Sequence, residues 1–254
     1  MQRTILVLSL ALAAGAVQAR DVHVSCNVDS RYSLTTENGG YLFTQTHAAP
    51  GRVAISNGGL SVDGRAANLS ASDQSRVRQF ESELSQLLPE SREVATEAIG
   101  IAFDALSEVA RTLASNPRQT IDKLNQSRVT ALREINSRPA FMFSRDDDAI
   151  DAVITPIVSE FVPEIVGGAV TLAFKSIFAS DKERVAMEAR MNRMGQTLDQ
   201  QVDARAKALE PLADSMCQRL KRMDALDNAL DYRLPGGGRV ELLSVDKPET
   251  VQTP

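Results

Sequence analysis

Apolar and polar residues alternate along the first part of the chain, and from Ser70 onward the apolar positions recur at helical spacing. The pattern therefore divides the sequence before any motif is considered. Between Val22 and about Ala67, Val22, Val24 and Cys26 alternate with polar neighbours, as in a half-buried strand. Asn38-Gly39-Gly40 separates Tyr32–Thr36 from Tyr41–Thr46, and Asn57-Gly58-Gly59 separates Val53-Ala54-Ile55 from Leu60-Ser61-Val62. Asp63-Gly64 turns the chain again. Asn, Asp and Gly tolerate positive φ, so these dipeptides predict tight hairpins and a small antiparallel sheet.

Ser70-Ala71-Ser72-Asp73 supplies capping side chains for a helix whose stripe is Val77, Phe80, Leu84 and Leu87/Leu88. Pro89 is expected to end that helix and open a second, with Val94, Ala98, Ile101, Ala105, Val109 and Leu113 inward, up to Asn116-Pro117. Ile121, Leu124, Val129, Leu132 and Ile135 mark a third, stopped near Arg138-Pro139. From Asp181 to about Tyr232 a longer stripe runs through Met187, Met191, Met194, Leu198, Val202 and on to Leu230, at a mean spacing of about 3.6 residues. Pro211 is expected to kink or divide it. The predicted fold is α+β and mostly α, with a small N-terminal antiparallel hairpin sheet on a bundle of about five or six helices. A long C-terminal amphipathic helix closes the bundle. Pro235-Gly236-Gly237-Gly238 reads as the end of the ordered body, followed by a tail with one apolar run, Val240-Glu241-Leu242-Leu243.

The most apolar stretch, Ala149 to Phe178, is interrupted by Asp151, Glu160, Glu164 and Lys175 and broken by Pro156 and Pro163, so it reads as short helices and not as a membrane span. Gly167-Gly168 within it would let another element approach closely. The N-terminus changes the picture of where the chain works. Arg3, the apolar run Ile5 to Ala14, and Val17-Gln18-Ala19 ahead of Arg20-Asp21 form the tripartite pattern of a secretory signal peptide cleaved after Ala19. The sequence thus divides into a signal peptide (1–19), a hairpin region (20–69), a helical domain (70–234) and a flexible tail (235–254). An oxidising compartment and an even cysteine count favour a Cys26–Cys217 disulfide, the alternative being a redox-active thiol. Closing so long a loop would stabilise by about 5 kcal/mol in the chain-entropy model. The formal charge of −5, with dispersed charges, gives no electrostatic case for nucleic acid, and 4% aromatics with no Trp argue against a sugar- or base-stacking platform.

His23 and His47 form no zinc pattern, and Asp146, Asp147, Asp148 and Asp151 read as a helix start better than as a cation site. There is no nucleophile elbow, phosphate loop or dinucleotide fingerprint. The expectation is therefore no catalytic, cofactor or metal residues and no cofactor. Met187, Met191, Met194, Ile165, Val166, Gly167 and Gly168 are the candidate interaction surface, because methionines on a helical stripe adapt to partners. The partner would be another envelope protein or a second copy; an apolar ligand bound against Ala149–Phe178 is the alternative.

Several features together resemble the YggN-like family of Gram-negative bacteria, which carries a domain of unknown function. They are the signal peptide, a cysteine a few residues into the mature chain and the text Asn57-Gly58-Gly59-Leu60 through Asp63-Gly64 to Asn68-Leu69-Ser70-Ala71. The helix ending at Leu88-Pro89, the Gly167-Gly168 pair and Met216-Cys217-Gln218-Arg219 fit as well. The resemblance implies a periplasmic address and paired cysteines, and no activity.

Overall fold

The computed structural model describes residues 26–46, 48–138, 143, 155, 159, 161, 163–169, 171 and 180–246. Three tight hairpins and one longer connection build its main sheet. Strands β2 (Ser33–Glu37), β3 (Gly40–Thr44), β4 (Arg52–Ser56), β5 (Gly59–Val62) and β6 (Arg65–Ala66) follow one another as an antiparallel meander. The two-residue turns Asn38-Gly39, Asn57-Gly58 and Asp63-Gly64 each place both residues at positive φ, for example 51° and 75° at Asn57 and Gly58. That conformation matches the right-handed twist of the flanking strands. It sets a register in which Leu34, Phe43, Val53 and Val62 form one cross-strand row and Tyr41, Ile55 and Leu60 a second. All of these but the half-buried Tyr41 are buried.

Strand β1 (Asn27–Asp29) does not join that sheet. It pairs antiparallel with β7 (Ser244–Asp246), at the far end of the chain. The segment expected to be a flexible tail from residue 235 is therefore structured as far as 246. Val240, Leu242 and Leu243 are buried in the main core, and Ser30 donates its hydroxyl to the Leu242 carbonyl at 2.6 Å. The short apolar run after the triglycine finds a partner more than 200 residues upstream, which no local pattern reveals. The residues from 247 onward lie outside the described ones.

Helix α1 (Ala71–Leu113) starts where expected, with Ser70 Oγ accepting the Asp73 N–H. It does not stop at Pro89. A proline inside a helix removes one hydrogen bond and costs ~3 kcal/mol in isolation. Here Leu84, Leu87 and Leu88 are fixed in the core before the proline, and the Arg219 guanidinium joins Glu83 on one side of it to Glu90 on the other. Tertiary contacts thus carry the helix through. Helix α2 (Pro117–Ser137) returns antiparallel to α1, and helix α3 is described over residues 163–169. Helix α4 (Asp181–Asn228) opens with a full capping box between Ser180 and Glu183 and runs undivided through Pro211. Among the described residues four helices are seen, and neither Pro89 nor Pro211 ends one.

The apolar side chains separate into two clusters. The larger takes in the sheet, the first half of α1, the last turns of α4 and the 230–243 segment, with Phe43 and Phe80 in contact at 6.2 Å between ring centroids. The smaller lies further along the helices and consists of Phe103, Ala110, Leu124, Ala131 and Phe161. These two clusters define a base and an arm.

Candidate functional site

The base is closed by chemistry at three points. Cys26, just before β1, is bonded to Cys217 on α4 with the Cα atoms 5.7 Å apart, a normal disulfide span. Two buried aspartates hold the chain after α4. Asp73, 2% exposed, accepts the Asp231 N–H at 3.0 Å and the Arg76 guanidinium at 2.8 Å. Burial works against its charge, but these donors outweigh burial and keep its carboxyl below the usual range. Asp227, also 2% exposed, accepts the Leu242 N–H at 2.7 Å through Oδ2, while Oδ1 has no hydrogen-bond partner. Burial, reinforced by Asp224 and Glu241, pushes this carboxyl up to about 7. The two acids do similar work with opposite electrostatics, because only Asp73 has a guanidinium beside it.

Along the α1–α4 seam, Glu83, Glu90, Glu97 and Asp104 recur every seven residues on α1 and face arginines on α4. Arg219 lies between Glu83 and Glu90, and Arg205 between Glu97 and Asp104. Arg222 adds a second bond to Glu83, whose carboxyl is held below its usual range chiefly by that guanidinium. Arg128 of α2 reaches the same Asp104. Gly100 makes room for this crossing: a Cβ there would lie 2.9 Å from Arg205 Nη2 and 3.3 Å from Arg128 Nη2. On the other side of the arm, Glu164 of α3 accepts the Thr120 hydroxyl at 2.6 Å and pairs with Lys123 at 3.2 Å. The hydroxyl above all holds its carboxyl below the usual range.

These pairs fix the register of α4 on α1. The two helices run antiparallel in equal steps, so the end of α1 at Leu113 falls near Asn192 of α4. At 1.5 Å per residue the first eleven or so residues of α4, roughly 16 Å, project past it. This overhang carries two of the candidate interaction residues: Met191 is 38% exposed and Met187 is half-buried, as is Met194 just inside it. Val185, on the opposite face, is 65% exposed. The α3 candidates lie at the same end of the molecule. Gly168 is buried, and a Cβ there would collide with the Leu113 carbonyl oxygen, so this glycine does permit a close approach. Gly167 faces open space, Val166 is 54% exposed and Ile165 is half-buried. The seven candidates therefore share the distal end of the arm, although Gly168 itself is a packing residue.

Sequence reasoning missed the heptad acids and Asp227. Both left a signal: four acids at seven-residue spacing, and an acid at the inward position between Met223 and Leu230. Among the described residues, no group of three or more His, Cys, Asp and Glu side chains is placed to hold a metal ion, and no helix is long and apolar enough to cross a membrane. His23, His47 and Asp146, Asp147, Asp148 and Asp151 lie outside the described residues.

Fold and site together define a disulfide-closed α+β protein whose sheet-bearing base carries a helical arm. The chain belongs to a family known as a protein of unknown function (DUF2884), whose family model matches residues 26–243. The match begins at Cys26, one of the bonded cysteines, and ends at Leu243, one residue after the strap amide held by Asp227, so it spans the base and the arm alike. No curated protein and no solved structure matches.

Proposed function

We propose that this is a non-enzymatic interaction module of the cell envelope, in which a closed base presents the distal face of the arm to another protein. The overhang of α4 carries the reading: Met187 and Met191 continue the apolar stripe beyond the end of α1, the helix it packs on. The compartment in this proposal is the periplasm. It rests on the signal-peptide pattern of residues 1–19, the YggN-like resemblance and the disulfide, which forms and persists in oxidising surroundings. The test is site-specific photo-crosslinking in the producing cells, with the probe at Met191, at Val166 and, as a control on the base, at Glu37. Discrete adducts from the two arm positions, lost in Met187→Asp, are expected. Equal labelling from Glu37, or none from the arm, would remove the proposal.

A second reading, a carrier for an apolar ligand, draws on a different observation. A groove of about 780 Å³ opens between the β5–β6 hairpin and the loop after α4, lined by Pro50, Val62, Arg65, Tyr232 and Leu234 among others. That volume suits a small molecule. Native mass spectrometry of the protein purified without reductant tests it, and a bare mass sinks it.

A further inference from the structure

The strap formed by residues 240–246 is the last described part of the chain and covers the apolar surface between the sheet and the two long helices. Leu242 packs with Ile55, Leu60, Val77, Phe80, Leu226 and Leu230 around a cavity of about 10 Å³ that Asp227 also lines. Two side chains hold the middle of the strap's backbone: the Ser30 hydroxyl donates to the Leu242 carbonyl, and Asp227 Oδ2 accepts the Leu242 N–H. The other Asp227 oxygen is buried without a partner. The neutral carboxyl is the less costly form in such a place: Oδ2 goes on accepting the amide, and only the Oδ1 hydroxyl is left without an acceptor. As a carboxylate it puts a full charge into an apolar site.

We propose that Asp227 is a proton-operated latch on the C-terminal strap: the neutral acid keeps residues 240–246 docked, and loss of its proton to solvent loosens them. The charged groups around it do not relieve the carboxylate. From α1, Arg76 lines the same cavity, but its guanidinium is committed to Asp73 and Asp231. From α4 itself, Asp224 adds negative charge, and from the strap Glu241 does the same. Tyr32, which precedes β2, faces it as a neutral phenol. The direction of the effect follows from the raised pKa. A carboxyl returned to water by release ionises near its ordinary value of 3.8, and the docked one is pushed up to about 7, so docking is strongest below the lower value. It weakens as the pH rises between the two and is level above 7.

Hydrogen exchange of the Leu242 and Leu243 amides, corrected for intrinsic rates, reads the latch directly. Between pH 5 and pH 8 the opening equilibrium is expected to rise by roughly a hundredfold in the native chain. In Asp227→Asn, which keeps an acceptor but cannot ionise, it is expected to change less than about threefold. Phe43, in the middle of the main sheet, serves as the reference amide and should lack the rise. A pH-independent strap in the native chain, an unchanged rise in Asp227→Asn, or an equal rise at Phe43 would each overturn the proposal. Should Asp227→Asn fail to fold, carbon-detected titration of the Asp227 carboxyl in the native chain decides. A midpoint near 7 supports the latch, and one below 5 removes it.

Discussion

The same two helices build both halves of this molecule and hold them together by different physics. In the base, α1 and α4 enclose a sheet with Phe43 and Phe80 at its centre, and the disulfide ties the first strand to α4. In the arm, two of the five buried cluster residues are alanines, and the helices are joined largely by charge across Gly100 and around Glu164. Removing apolar area from water stabilises by about 25 cal/mol per Å², whereas half-exposed ion pairs contribute little. A chain built this way keeps one end fixed and leaves the other able to adjust. Among the described residues, the large apolar side chains left exposed, Val129, Val166, Val185 and Met191, all lie on the arm.

The comparison can be broken most forcefully at the disulfide. Replacing Cys26 and Cys217 together by Ser should cost about 5 kcal/mol by the chain-entropy account, seen as a lower denaturant midpoint. An unchanged midpoint would show that the base does not depend on its clamp. Next comes Phe43→Ala, which empties the middle of the base core and should cost about 3–5 kcal/mol in the same measurement. Arg219→Ala removes a guanidinium that is 15% exposed and leaves Glu83 and Glu90, each about one-fifth exposed, with less compensation. A loss of about 1.5–3 kcal/mol is expected. Gly168→Ala should cost about 1–3 kcal/mol, confined to protection of the α1–α3 contact in the arm. The smallest effect is expected from Arg205→Ala, under about 1 kcal/mol, because Arg205, Glu97 and Asp104 are a third or more exposed. Equal losses at Arg205 and Arg219 would erase the difference between arm and base.

Much of the base could be read from the chain, and the reasons are local. Asn-Gly and Asp-Gly specify their turns by backbone conformation alone, so the hairpins at Asn38, Asn57 and Asp63 were visible, as was the Ser70 cap. The even cysteine count likewise pointed to the bond that closes the base. What local rules could not supply was anything decided across the fold. Pro89 carries every mark of a helix boundary, and the helix passes through it because Leu84, Leu87 and Leu88 are held in the core and Arg219, far along the chain, bridges Glu83 and Glu90. The strap looked like a tail because its partners, β1 with the adjoining Ser30, and Asp227, come from two other places in the chain. The candidate interaction residues were chosen for a methionine stripe. The end of α1, set by the register of the ion pairs, is what separates the exposed Met191 from the covered part of that stripe.

Native-state hydrogen exchange over increasing denaturant tests the division between base and arm most directly. The account expects amides of β3, β4 and the Cys217–Met223 turns of α4 to exchange only through global unfolding. Those of α2 and of α1 beyond Gly100 should open earlier, as a separate unit of lower free energy. A single opening energy shared by both sets would contradict it.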